Sequence, residues 1–160
     1  MKARSEIAIG VEDILSEALS WEGTPYRHQA SCKGFGCDCL GLVRGVYSAF
    51  WPNDTPIPTY NPGWADAGGT ETLAEGAARY LVSKRLEDRS PGDVLLFRYR
   101  SEFPAKHAGI LLTGNQFLHA HHNSAVCRAS LSDWWERRIA YAFAFPLSLA
   151  RQTNKREIHP

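Results

Sequence analysis

The hydrophobic period of this chain changes once, near residue 91, and the change narrows the folds open to it. Before it, apolar residues recur three and four positions apart. Ile7, Val11, Ile14, Leu15, Ala18 and Leu19 predict an amphipathic helix over about residues 6–20, ended by Gly23, Thr24 and Pro25. Cys39, Leu42, Val43, Val46, Tyr47 and Phe50 predict a second helix, with Asp38 in N-cap position and Pro52 as its stop. Leu73, Ala77, Tyr80 and Leu81 predict a third over residues 70–84. After Pro91-Gly92-Asp93 the pattern is that of strands. Val94 to Phe97 is a buried run, and His107–Leu112 and Gln116–His121 flank Thr113-Gly114-Asn115 as a hairpin. Ile139, Tyr141, Phe143 and Phe145 alternate with alanines up to Pro146. Helices first and strands second predict an α+β fold, with N-terminal helices packed on a central antiparallel sheet.

The 160 residues suit one domain, placed at residues 1–147, with a polar tail over 148–160. Hydrophobic residues make up 44% and charged residues 22%, which excludes a disordered, collagen-like or coiled-coil chain. Net charge is +1, so a nucleic-acid partner is not expected. No apolar run reaches the roughly 18 residues of a membrane span. Glu6, Glu12 and Asp13 interrupt the N-terminus before a secretory leader's apolar stretch can form. The expectation is a chain made in the cytoplasm that either stays there or leaves by a non-standard route.

Three of the four cysteines, Cys32, Cys37 and Cys39, fall within eight residues. Without a leader, catalysis or metal binding is a better reading than a disulfide framework. Cys39 has the most suitable setting for a nucleophile. It opens a helix, where unpaired backbone N–H groups and the dipole favour the thiolate. The alternative is a small buried core cysteine. Cys37 and Cys32 lie in the preceding loop, and Cys37 is a second thiol or a disulfide partner if it is not simply packed. Cys127 reads as structural. Zinc on Cys32-x4-Cys37-x-Cys39 with nearby histidines is a minor alternative, because the C-x2-C knuckle spacing is missing.

A reactive cysteine needs a base, most often histidine. His107, His119, His121 and His122 lie on the predicted hairpin, where loop parity decides which of them meet. A two-residue Gly114-Asn115 loop pairs His107 with His122, and turn chemistry slightly prefers it. A three-residue loop pairs His107 with His121 and brings His119 to the same face, diagonal to His107. Periodicity leaves both open.

Four separate segments, GTPYRHQAS, GCDCLGLVRGVY, SPGDVLLF and KHAGILLTGNQFLHA, resemble the NlpC-type cell-wall peptidases, which are papain-like cysteine peptidases. The resemblance covers about residues 15–146 in the family's order. The D-C-x-G-L segment and the twelve-residue step from His107 to His119 are its specific parts. The extended W-x-G-T-P-Y-R-H-Q segment and the Trp134-Trp135 pair look most like the subgroup of phage and gene-transfer-agent wall peptidases.

The resemblance implies a papain-like NlpC-type fold and a set of roles. Cys39 is the nucleophile, His107 the general base and then acid, and His119 the polar residue that orients His107. Tyr26 and the backbone N–H of Cys39 meet the oxyanion. Asp38 holds the free amino group of the substrate. No metal or organic cofactor is implied. The substrate implied is a peptidoglycan stem peptide, cut between γ-D-glutamyl and a diamino acid such as diaminopimelate. Arg27, His28 and the 52–69 excursion with Trp64 are candidates to read its charged ends. The resemblance also favours the odd hairpin loop. It implies action at the cell wall or periplasm as part of a phage-like particle, with tail proteins as partners. One departure is Leu40, where the family usually has Ser after the nucleophile. It leaves open a second reading, a catalytically weak structural or wall-binding tail component. A thioester intermediate is also open to amine acceptors, which would make a transferase.

Overall fold

A computed structural model describes residues 8–52 and 70–147. Helix α1 runs Val11–Leu19 and begins at Gly10, whose backbone N–H donates to the Asp13 carboxylate at 2.8 Å. Two short strands follow, β1 (Ser31–Cys32) and β2 (Gly36–Cys37), within a stretch whose sequence reads as loop. Helix α2 spans Cys39–Phe50 and ends ahead of Pro52, as its pattern predicts. The expected third helix is shorter, α3 Thr72–Tyr80. Its predicted last residues form instead an edge strand, β3 (Val82–Lys84). Leu81 leaves the helix with extended dihedrals, and Val82 to Lys84 pair with Ala144 to Ala142. Long-range pairing here overrides a weak helical period.

The remaining strands are β4 (Val94–Phe97), β5 (His107–Leu111), β6 (Gln116–Ala120), β7 (Val126–Ser130) and β8 (Ile139–Ala144), with a short helix α4 (Asp133–Glu136) before β8. The six longer strands make one antiparallel sheet in the order β3-β8-β4-β5-β6-β7. The α+β expectation therefore holds.

The sheet buries both faces. Val94, Leu96, Ile110, Leu118 and Phe143 pack with Ile14, Ala18, Leu42 and Val46 of the two N-terminal helices. Leu95, Phe97, Leu111 and Phe117 pack on the opposite face, under Leu131 and Trp135. Trp51 stacks on Phe145 at 6.1 Å and packs against the first core. Two glycines of α2 set how closely its neighbours approach. A Cβ on Gly41 would lie 1.8 Å from the Ala30 carbonyl oxygen, and one on Gly45 would lie 2.1 Å from the Trp21 ring. Hydrogen thus lets the Ala30 segment close onto the start of α2 and the Trp21 ring onto its middle. Trp64 and the tail over 148–160 lie outside the described residues.

Candidate active site

Asp38 builds the start of α2. Its Oδ1 accepts from the Gly41 N–H at 2.7 Å and its Oδ2 from the Gln29 N–H at 2.8 Å. The N-cap therefore also ties down the segment that carries Tyr26. A cap of this kind is worth about 1 kcal/mol. Cys39 is the first residue of the helix and is half-buried in a cleft lined also by Tyr26, His28, Asp38 and Leu40.

The opposite wall comes from the sheet. Ile110 pairs with Leu118 and Leu111 with Phe117, so continuing the register sets His121 opposite His107 and His119 diagonal to it. The connecting loop is the three-residue one. Gly114 and Asn115 both adopt left-handed dihedrals, at φ 71 and 56, and the Leu112 N–H bonds the Gln116 carbonyl at 2.8 Å. The parity that turn chemistry slightly favoured is not the one adopted. Helix packing on one face of the sheet fixes which residues must point inward.

His107 and His119 consequently meet, with His107 Nε2 2.8 Å from His119 Nδ1. That contact leaves His107 Nδ1 as the nitrogen open to exchange a proton elsewhere. Trp135 closes over the pair, with ring centroids 5.7 Å from His107 and 5.5 Å from His119. The backbone N–H of Ala108, beside His107, also interacts with the Cys39 sulfur, so helix and strand meet at the thiol.

The electrostatics depart from the expected thiolate. Burial pushes the Cys39 thiol up to about 12, with the Asp38 carboxylate adding to the rise. The N–H groups of Ala108, Leu40 and Cys39 pull the other way and are outweighed. Burial likewise drives His107 down to about 3, helped by His119 and His121, and His119 down to about 4. Both shifts favour the neutral forms, thiol and imidazole, at rest. Desolvation in the cleft exceeds what one helix N-terminus offers. Tyr26 is raised to about 12, first by burial and then by Cys39, so its phenol stays protonated and able to donate. A T-shaped contact at 4.9 Å holds its ring against His122.

The other predicted residues divide. His28 lines the cleft, its Nδ1 4.0 Å from Asp38 Oδ2, and Leu40 lines it as well. Arg27 does not line it, because its methylenes lie over Gly36 and leave no room there for a Cβ. The cysteines are all free, Cys32 exposed and Cys37 buried. Cys127 lies on β7 opposite His119. Among the described residues no group of three or more His, Cys, Asp or Glu is arranged to hold a metal ion, and no helix is long and apolar enough to cross a membrane.

Sequence reasoning missed Tyr99 and Lys106 in the β4–β5 connection as cleft residues, and it gave Trp135 no place in the cleft. Glu71 anchors that connection. Its carboxylate accepts from Arg98 at 2.8 Å and from the Ala105 N–H at 3.1 Å. Segments without a period offer no signal for which side chains turn inward.

The NlpC/P60 family profile matches residues 23–143. The chain belongs to the NlpC/P60 family. Its relatives in the family include the probable endopeptidase NlpC of Escherichia coli K12, 30% identical over 83% of this chain and 75% of that protein. The murein DD-endopeptidase MepS/murein LD-carboxypeptidase of the same strain is 28% identical over 78% of this chain and 57% of its own length. The γ-DL-glutamyl hydrolase of Bacillus subtilis is 26% identical over 79% of this chain and 27% of its own. The chain thus spans three quarters or less of these relatives.

Among solved structures, the NlpC/P60 domain of the peptidoglycan hydrolase SagA superposes with a TM-score of 0.63 at 21% identity, covering 86% of this chain and 100% of that one. RipD of Mycobacterium tuberculosis, a non-catalytic NlpC/P60 protein, superposes at 0.54 with 13% identity, covering 85% and 96%. These likenesses establish the NlpC/P60 fold for the chain.

Proposed function

We propose that this NlpC/P60 chain is a cysteine peptidase that hydrolyses an amide bond of the peptidoglycan stem peptide, between γ-D-glutamyl and a diamino acid such as diaminopimelate. The observation that carries the reading is the convergence of Cys39, at the start of α2, with the hydrogen-bonded His107–His119 pair of the sheet in one cleft. The names of its relatives, endopeptidases and a γ-glutamyl hydrolase, support the same chemistry.

Because burial favours the neutral thiol and the neutral imidazole, the proton leaves sulfur as the sulfur attacks. His107 Nδ1 takes it, and the sulfur forms a bond to the amide carbon. The carbonyl electrons move to oxygen, where the Tyr26 hydroxyl and the Cys39 N–H donate. Each such donor is worth about 3–4 kcal/mol when judged by deletion. The imidazolium, steadied by Nδ1 of His119 as acceptor, then protonates the leaving amine, and the C–N bond breaks. Water attacks the thioester, His107 takes its proton and returns it to sulfur, and the C–S bond breaks.

Digestion of defined muropeptides tests this. Cleavage after γ-D-glutamate, retained in Cys37→Ala and reduced about a thousandfold or more in Cys39→Ala, is the expected result. No cleavage by the folded native protein overturns it in favour of a wall-binding component. Leu40 on the cleft wall is the observation favouring that second reading, and Leu40→Ser is its first test. The resemblance of the W-x-G-T-P-Y-R-H-Q segment and the Trp134-Trp135 pair to phage and gene-transfer-agent wall peptidases is the ground for proposing delivery by a phage-like particle. Co-purification with tail proteins checks that part.

A further inference from the structure

The cleft carries one Lys or Arg and one Asp or Glu among the described residues that line it, namely Lys106 and Asp38. Asp38 is 2% exposed and spends both carboxylate oxygens on backbone N–H groups at the start of α2. Lys106 is half-buried on the wall next to the base. Its ammonium lies 5.6 Å from the centre of the Tyr99 ring, and that ring in turn contacts His107 at 6.3 Å and Trp134 at 6.2 Å. A cation over an aromatic face is attracted by the ring and loses part of its freedom to wander.

The backbone beneath it is pinned twice. The Lys106 N–H bonds the Phe97 carbonyl at 3.0 Å, and the Ala105 N–H bonds Glu71 at 3.1 Å. A positive charge is therefore held on a rigid support beside the residue that handles the proton. A γ-linked glutamyl residue joins through its side-chain carboxyl, so its α-carboxyl stays on the same residue as the scissile carbonyl.

We propose that Lys106, held over Tyr99, selects substrates with a free carboxylate on the residue that donates the acyl group, and discriminates against the corresponding carboxamide. The inference rests on the peptidase reading and specifies its substrate. A carboxamide is isosteric with the carboxylate but offers the ammonium no charge and a weaker acceptor.

The experiment uses two stem-peptide substrates that differ only in that group, γ-D-glutamyl and γ-D-isoglutaminyl, with the full chain at low salt. The native protein is expected to favour the carboxylate in kcat/KM by about tenfold or more. Lys106→Met is expected to bring the ratio to within about threefold of one, and Lys106→Arg to retain most of the preference. Lys33→Met is the control, since Lys33 pairs with Glu17 at 2.8 Å and does not line the cleft. Its ratio should match the native one. Lys106→Gln, with its melting temperature measured, guards against a packing defect peculiar to methionine. Equal rates on the two substrates, or a preference that survives in both Lys106→Met and Lys106→Gln, overturn the lysine's role and leave the peptidase reading standing. No cleavage of either substrate by the folded native protein overturns both.

Discussion

His107 and His119 share one short contact, Nε2 to Nδ1 at 2.8 Å, between residues twelve apart in sequence and on adjacent strands. The contact selects a tautomer. If His107 gives its Nε2–H to His119, then His119 Nδ1 is the acceptor and its own proton sits on Nε2. His119 carries no negative charge to offer the imidazolium, so its service is orientation and an acceptor lone pair. His119→Ala should lower kcat by about a hundredfold with a small change in KM. His119→Asn, which keeps an acceptor, should recover part of it. Steady-state kinetics on a muropeptide check this, and a loss seen only in KM contradicts it.

The thiol should be a poor nucleophile in the free protein. Its ionisation is displaced upward, toward about 12, chiefly by burial. An acid so displaced yields little thiolate until the pH is well above the ordinary thiol range. The ultraviolet thiolate absorbance, taken as native minus Cys39→Ala, should therefore show no step below pH 9. Absorbance is independent of reagent access, which an alkylation rate is not. A step near neutrality would contradict the upward shift and show a resting thiolate.

Acid should destabilise the fold earlier than surface carboxylates would. His107 and His119 are held neutral, lowered to about 3 and about 4 by burial, with neighbouring histidines adding to the shift. An unfolded histidine takes up a proton as pH falls through about 6.5, while the folded ones resist until their lowered values. The unfolded state then binds more protons, so stability is fully present above about pH 6.5 and declines as the pH falls below it. Urea midpoints at pH 7.5 and pH 5 should separate clearly for the native chain. They should separate less for the double variant His107→Phe, His119→Phe.

Glycines in helices should answer oppositely to alanine. Gly41→Ala and Gly45→Ala drive a Cβ into the Ala30 carbonyl and the Trp21 ring. Each should destabilise by about 1–3 kcal/mol or more, since the neighbours are backbone and a packed indole. Gly41→Ala should also lower activity, because the displaced segment is tied to Asp38. Gly76→Ala in α3 meets nothing within 4 Å. It should stabilise by about 0.5–1 kcal/mol through propensity alone. Thermal melts of the three variants decide.

Local pattern by itself determined much of this protein. The start and stop of α2, the Asp38 cap, the placement of Cys39 at a helix N-terminus and the β4, β5, β6 and β8 strands were all legible. Each depends on residues within one or two turns of each other. The motifs GCDCLGLVRGVY and KHAGILLTGNQFLHA carried the family as well. Only the tertiary structure decided three further matters. The hairpin parity that joins His107 to His119 follows from which face of the sheet the helices cover, and turn chemistry within the loop pointed slightly the other way. The end of α3 became β3 because β8, some sixty residues later, supplied hydrogen-bond partners. The ionisation of Cys39 was read from its helix end, which favours the thiolate. Its burial, contributed by β5 and the cleft walls, reversed the outcome. Capping and periodicity act over a few ångströms of contiguous chain, whereas register and desolvation exist only once distant segments have closed on one another.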